Sequence, residues 1–338
     1  MQSDPRGKIN MDRYDQIGYF VFSLDTELAT GYFDKDEARA RTFSPDGSRE
    51  RWAIKCLLDI LEEFNLTATW AVVGHLFYKE CEKCDICPIQ DWWGKYKSFE
   101  EAFLTNNPLW YGGDIIETIL SRIGTHEIGF HGYTHALFGE SIMSKEKAQV
   151  EINEWLRVAG RYGIVPRTVI FPRDLAGHLD LFEKAGFTNY RSEAHYPLII
   201  RNRYFGKYVK TMDHILSIST PPVYSLDQVE QNGLVNFRES QHLFAFNRKV
   251  ELLLDSHNLQ NLRVRRIVKG IKKAAREKKI FHLWAHPWEF RTEKDFLKLR
   301  YIFNYVVKEV KAGGIQSIGM AELAKIIREK SLTPKQKV

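Results

Sequence analysis

The chain is predicted to fold as an α/β barrel, and three observations carry that prediction. Short apolar, β-rich runs alternate with amphipathic helical stretches from one end to the other. The runs are apolar on both faces, as in a parallel sheet covered by helices. Ionisable residues follow at once where several of the runs stop, which is where barrel enzymes gather their catalytic groups. An open, doubly wound sheet is the alternative arrangement of the same elements.

Strands are expected over residues 18–24, 68–73, 126–131, 167–171, 188–191, 214–219, 280–285 and 315–318. Helices are expected over 49–64, 113–122, 144–162, 178–185, 262–277, 292–311 and 320–330. In the first helix Trp52, Ile54, Leu57, Leu58 and Leu61 recur at helical spacing. In the fourth, Leu179, Leu181 and Phe182 form the stripe, and Gly186 is placed to end it.

Three stretches interrupt the alternation. Residues 31–48 are polar with Gly and Pro, and read as a loop over the site. Residues 78–112 hold Cys81, Cys84 and Cys87 together with Trp92, Trp93, Trp110 and Tyr111. Residues 192–260 contain Pro221-Pro222 and only scattered patterns. Long irregular insertions in a compact domain are often substrate loops. With no internal repeat or linker, the chain reads as one domain over 1–338 with its core at 18–325.

A 44% hydrophobic share of 338 residues is enough for a substantial core, and a 27% charged share is ordinary for a soluble protein. Much of the net charge of +6 comes from Arg263-Val-Arg-Arg266 through Lys278-Lys279 and from Lys335-Gln-Lys337. Basic helical faces are usually solvated, so nucleic acid is not an expected partner; an anionic, phosphate-bearing ligand suits the charge better. No apolar run approaches the ~20 residues of a membrane span. The first ten residues lack the apolar core of a secretory signal, and a cytoplasmic location is expected. Neither a phosphate-binding glycine loop nor a G-x-S-x-G nucleophile elbow is present, which argues against a kinase, a dinucleotide enzyme or a serine hydrolase.

Cys81, Cys84 and Cys87 form C-x-x-C-x-x-C, a spacing able to hold zinc or an iron–sulfur cluster. No fourth ligand lies nearby, and Cys56 or His75 reaches the group only by folding back. A reduced loop of thiols is the plain alternative.

The chemistry-bearing residues stand at three strand ends. Tyr19-Phe-Val-Phe-Ser-Leu24 leads into Asp25 and Glu27, which share one face of an extended chain. Glu127-Ile-Gly-Phe130 leads into His131-Gly-Tyr-Thr-His135. If the chain turns helical after His131, the two histidines share a face and can grip one divalent ion. The third run, Ile280-Phe-His-Leu-Trp-Ala285, ends in His286-Pro-Trp-Glu289. By itself H-x-x-x-H is a weak signal, and its strand-end setting gives it weight. His126 and His282 lie within apolar runs and read as core or supporting residues. Trp110, Tyr111 and Trp288 are either core aromatics or faces on which a sugar ring stacks.

Together these segments resemble the polysaccharide deacetylase superfamily, the metal-dependent carbohydrate N-deacetylases. Phe22-Ser-Leu-Asp-Thr-Glu-Leu28 is similar to its first motif and His131-Gly-Tyr-Thr-His135 to its H-x-x-x-H motif. Phe171-Pro-Arg-Asp174 stands where an arginine-bearing motif is expected, and Trp284-Ala-His-Pro-Trp288 is similar to the final, histidine-bearing one. Pro108-Leu-Trp-Tyr-Gly-Gly-Asp114, Gly124-Thr-His-Glu-Ile-Gly129 and Ile280-Phe-His-Leu-Trp284 resemble a bacterial and archaeal branch found in surface-polysaccharide contexts.

The resemblance implies a distorted (β/α)7 barrel and hydrolysis of an N-acetyl group from a sugar or glycan precursor in polysaccharide biosynthesis. It implies a divalent metal, zinc by preference, on Glu27, His131 and His135. Asp25 would be the base, His286 the acid, and Arg173 the cation that holds Asp25 ionised. Trp110, Tyr111 and Trp288 would contact the sugar. The family's first motif has adjacent aspartates, whereas here the acids are Asp25 and Glu27, so their roles can be exchanged. A relative that kept the barrel but hydrolyses another amide without metal, or that only binds carbohydrate, is the alternative.

Overall fold

The computed structural model describes residues 15–32, 42–80, 82, 108–122, 126–194, 212–213, 216–227, 233–244 and 260–332. Cys81, Cys84 and Cys87 lie outside them, as does much of the three insertions; Cys56 is half-buried with a free thiol.

The strands are β1 (Gly18–Thr26), β2 (Thr69–Val72), β3 (Glu127–Phe130), β4 (Thr168–Ile170), β5 (Asn189–Ser192), β6 (Val235–Arg238), β7 (Gln241–His242), β8 (Ile280–Ala285) and β9 (Ile315–Ser317). Every pairing between them is parallel. β1 is buried from end to end. Along one flank it pairs with β8. Along the other, its first residues, Gly18–Phe20, pair with β9 and its last, Ser23–Thr26, with β2. The order continues β2-β3-β4-β5-β6.

A break in one strand closes the ring. Glu239 N–H donates to the Ser192 carbonyl at 2.9 Å, and the next residue, Ser240, donates to the His282 carbonyl at 2.9 Å. Adjacent residues therefore bond to β5 on one side and β8 on the other. β6 and β7 act as one interrupted stave, and with β1, β2, β3, β4, β5 and β8 they make seven positions around the barrel. The expected distorted (β/α)7 barrel is the fold found.

Seven helices among the described residues pack outside the strands: α1 (Ser48–Glu63), α2 (Gly113–Ser121), α3 (Lys145–Gly160), α4 (Leu179–Lys184), α5 (Gln260–Glu277), α6 (Glu293–Lys311) and α7 (Met320–Leu332). Their periodic apolar faces explain their positions: Leu57, Leu58 and Leu61 of α1 and Leu299, Ile302 and Phe303 of α6 are fully buried. Phe130, Phe171, Phe182 and Phe187 interlock edge-to-face between strands and α4, with ring centroids 5.1–5.9 Å apart. Trp155 of α3 is buried and donates Nε1–H to the Val72 carbonyl at 2.8 Å, which ties that helix to β2.

One expected strand is absent. Residues 216–219 are not extended; Ser217 has φ 53 and Ser219 N–H donates to Asp213 Oδ1 at 2.7 Å. Leu216 and Ile218 are exposed. The edge of β8 that this segment would need is already taken by β7 and by a bridge from Tyr224 to Ile280. The missing stave is Val235–Arg238, whose Val235 and Phe237 fill the core.

Gly18 opens β1 where α5 crosses it most closely. A Cβ there would stand 2.4 Å from the Ala274 carbonyl oxygen. Backbone cannot move aside as a side chain does. Gly18→Ala is expected to lower stability by about 1–3 kcal/mol, read as a reduced urea midpoint with an unchanged slope.

Candidate metal and catalytic site

Glu27, His131 and His135 converge where β1 and β3 end. Glu27 Oε2 stands 2.8 Å from His135 Nε2 and 3.3 Å from His131 Nε2. All three side chains are buried. The backbone places each of them. After β1 the chain curls into a 3-10 turn at Leu28–Tyr32, and Thr30 returns both its N–H and its hydroxyl to the Glu27 carbonyl. Gly31 lies under the carboxylate; a Cβ there would stand 2.0 Å from Glu27 Oε1.

The chain after His131 is not helical. A loop brings the histidines together instead, with Gly132 at φ 76 and His135 at φ 63. Two features hold it. Gly74 and His75 N–H groups donate to the Gly132 and Tyr133 carbonyls at 2.8 and 2.9 Å. Glu151 of α3, fully buried, accepts from Tyr133 N–H at 2.7 Å, Thr134 N–H at 3.0 Å and the Thr134 hydroxyl at 2.5 Å. Burial pushes the Glu151 carboxyl up to about 7 against these donors.

These three residues suit a divalent cation. His131 Nδ1 lies 2.8 Å from the Ile170 carbonyl, so that nitrogen carries the proton and Nε2 presents its lone pair to Glu27. Both ring nitrogens of His135 are buried without a hydrogen bond, although Nε2 is 2.8 Å from Glu27 Oε2. Buried polar atoms are seldom left so. Ligands on bonds of about 2.0–2.2 Å around a tetrahedral ion stand about 3.3 Å apart, which matches so tight a cluster. Burial lowers the basicity of His135, favouring the neutral, ligating form. Burial raises the Glu27 pKa, but the surrounding histidines, His286 first, outweigh it and hold the group well below the usual carboxylate range.

Asp25 lies inside the barrel, and Arg191 of β5 grips it with two bonds of 2.7 and 2.6 Å. Arg191 also reaches Asp174 Oδ1 at 3.1 Å and Ser23 Oγ at 3.3 Å, and its guanidinium stacks 4.3 Å over the Trp284 ring. Burial would raise the Asp25 pKa, but Arg191 and then His131 bring it below its ordinary value. The cation expected at Arg173 is thus Arg191. Arg173 is exposed, in a left-handed turn with φ 52 at Pro172–Asp174, and its charge is felt at His135. The neighbouring Asp174 is the residue of this motif that joins the network.

His286 stands beside the Glu27 carboxylate. Its Nε2 is 3.6 Å from Glu27 Oε1, and its Nδ1 is 3.1 Å from Glu289 Oε2. Burial disfavours its charge, but Glu27 and Glu289 together push it up to about 9. Glu289 Oε2 also accepts the His286 backbone N–H at 2.9 Å and pairs with His242 Nε2 at 2.8 Å. Trp288 lies beside His286, 4.8 Å between ring centroids, and its Nε1–H reaches Glu27 Oε1 at 3.4 Å.

Trp110 and Tyr111 do not join this group. Both are buried in the core, where the Trp110 carbonyl meets His75 Nδ1 at 3.2 Å and the Tyr111 ring packs 5.3 Å from His75. As core aromatics they present no open face to a sugar. His282 is a supporting residue, with Nε2 2.8 Å from Ser23 Oγ and basicity reduced by burial to about 3. Arg191, Asp174, Glu151, His242 and Glu289 carry no predicted role. The signal for Arg191 was present: a charge closing the strand run Asn189-Tyr-Arg191.

No family model and no curated protein matches the chain. Among solved structures, a Mycobacterium smegmatis protein assigned as a polysaccharide deacetylase superposes over 95% of this chain and 93% of its own, with TM-score 0.54 and 16% identity. The chain has the polysaccharide deacetylase fold. A Puue allantoinase superposes over 94% of this chain and 91% of its own, with TM-score 0.52 and 12% identity. At such identities the shared deacetylase architecture is a likeness of fold.

Arg191→Met would leave Asp25 buried without its cation. The expected loss is about 3–5 kcal/mol at neutral pH. The sign with pH is defined. In the parent protein Asp25 has a lowered folded pKa, so its contribution is present above the unfolded value and is lost as pH falls through the folded one. Without Arg191 only the His131 and His286 charges oppose burial, so that pKa rises relative to the parent's, and the variant's deficit in stability narrows as pH falls through the acid range. Urea titrations of chelator-treated protein across that range check both directions.

Proposed function

We propose that the chain is a metal-dependent hydrolase that removes an N-acetyl group from a sugar or glycan precursor. The observation that carries this reading is the buried Glu27–His131–His135 cluster, set between a carboxylate held ionised by Arg191 and a histidine held by Glu289. Glu27, His131 and His135 would hold a divalent ion, zinc by preference for two imidazoles and a carboxylate. When bound there, such an ion lowers the pKa of water and polarises an amide carbonyl.

The chain's own residues then divide the proton work. Asp25 accepts the proton of the attacking water, and the Arg191 bidentate pair keeps its carboxylate ionised and aimed. Glu27, rather than Asp25, meets the histidines, which supports Asp25 as base and Glu27 as ligand. His286, beside Glu27 and bonded to Glu289, delivers a proton to the departing amine, a poor leaving group until protonated. Glu289 fixes the His286 ring so that Nε2 faces the cluster. Trp288 is the aromatic wall beside it. A phosphate-bearing carrier suits the net charge of +6, which supports a nucleotide- or lipid-linked substrate.

His135→Ala is expected to abolish stoichiometric metal and nearly all turnover while leaving the far-ultraviolet spectrum intact. Full metal content with normal turnover in that variant would place the centre elsewhere. Acetate release from nucleotide-linked, lipid-linked and long neutral N-acetyl oligosaccharides tests the substrate class, and a preference for the long oligomers would overturn the precursor assignment.

Asp25→Asn and His286→Ala separate the two proton roles. Asp25→Asn should retain metal and lose about 10²–10⁴-fold in kcat on every substrate. His286→Ala should lose a comparable factor on amides and little on an aryl acetate, whose leaving group needs no proton. Equal losses on the two substrates would remove His286 from the acid role.

A further inference from the structure

We infer, on the reading of His286 as the acid that protonates the leaving amine, that His242 is a positioning residue for it, acting through Glu289. β7 places His242 beside β8, in register with Trp284. Its ring stacks on the Trp284 indole, 4.1 Å between centroids and 20° between planes. Its Nε2 then lies 2.8 Å from Glu289 Oε2. That same oxygen accepts the His286 backbone N–H at 2.9 Å and faces His286 Nδ1 at 3.1 Å. His242 and His286 are nearly perpendicular, 87°, and approach one oxygen from two directions.

The consequence is mechanical. A carboxylate that serves one imidazole can rotate about its own torsions and take the imidazole with it. A donor from outside the His286 turn, the third on that oxygen, further restricts that freedom, and bonds to an ionised acceptor are the stronger kind. His242 is itself held. Arg191 lies 4.3 Å over the Trp284 ring. The guanidinium that grips Asp25 therefore contacts the indole on which His242 rests. A contiguous path runs from Asp25 through Arg191, Trp284, His242 and Glu289 to His286, joining the two proton-transfer groups around the Glu27 cluster.

His242, His286 and Glu289 are also close enough to share a cation. Their near atoms, however, are already bonded to one another, whereas His135 has no hydrogen bond. Hydrogen bonding accounts for the first group; in the second, His131 has the Ile170 carbonyl and Glu27 beside it, and His135 is the member left wanting a partner.

Two variants isolate the donor from the ring. His242→Phe keeps a ring on Trp284 and removes the hydrogen bond; His242→Gln keeps an N–H donor. Nitrogen-15 spectra of the metal-loaded protein are expected to show the His286 Nδ1–H signal in the parent, broadened or lost in His242→Phe and restored in His242→Gln. On an N-acetyl sugar, His242→Phe should lower kcat about 10–100-fold with KM and metal content unchanged, and leave hydrolysis of an aryl acetate little affected. It should add nothing to His286→Ala. An unchanged His286 signal, equal loss on amide and ester, or an additive effect with His286→Ala would overturn the proposal. Loss of a second metal equivalent in His242→Phe would also overturn it, in favour of a ligand role. If His286→Ala loses amide activity selectively and His242→Phe does not, only the positioning role fails. If His286→Ala itself shows no selectivity, the acid assignment fails and the positioning role with it.

Discussion

A guanidinium buried at the barrel interior organises this molecule. Taking a cation out of water is costly unless it is paired and its donors are used. Arg191 meets that condition only because several elements supply partners at once: Asp25 and Ser23 from β1, Asp174 from the turn after β4, and the Trp284 face from β8. β5 is thereby tied to three other parts of the ring through its interior, independently of the backbone ladder. The same contacts decide the state of Asp25. Burial works to neutralise that carboxyl, and Arg191 reverses the outcome. The ionised state of Asp25 and the ties that Arg191 makes from β5 to β1, to the turn after β4 and to β8 thus come from one set of contacts.

The ends of the strands are conformationally unusual for a related reason. Leu28, His135, Arg173 and Asp174 all take left-handed backbone angles, with φ of 47, 63, 52 and 54. Such residues cost of order 1–3 kcal/mol each and persist only where their surroundings over-determine them. For His135 the surroundings are visible: Gly132, where the chain must turn with positive φ, the hydrogen bonds from residues 74 and 75, and the Glu151 carboxylate behind the loop. The strain places an imidazole where a regular helix or strand would not. Strand geometry brings side chains to the rim, and irregular backbone then aims them inward.

This division explains what the sequence made legible. Strand and helix alternation showed the barrel, because periodicity reports which face is buried, and burial is what the barrel imposes. Asp25, Glu27, His131 and His286 stood out because each lies at or just after the end of an apolar run, and His135 because of its spacing to His131. Arg191 was not, although it closes a strand, because the family pattern drew attention to Arg173; whether an arginine beside a proline turns in or out depends on backbone angles that spacing does not encode. The histidine pair was expected on a helix, and the loop that joins it relies on Gly132 and on Glu151, sixteen residues beyond His135 in sequence. The strand over 214–219 was misplaced because apolar content matches both a stave and an exposed turn, and only the occupied edge of β8 decides between them. His242 and Glu289 gain their meaning from one shared oxygen, a contact that neither local sequence contains.

The site is also polarised in its exposure. The Glu27, His131 and His135 side chains are 6%, 1% and 2% exposed, while those of His286, Glu289 and His242 are 17%, 12% and 24% exposed. Solvent therefore reaches the cluster from the His286 side. Asp25, 4% exposed and paired with Arg191, lies on the enclosed side. On the proposed reading, an amide substrate would approach from the His286 flank, its leaving nitrogen toward the proposed acid and away from the enclosed proposed base.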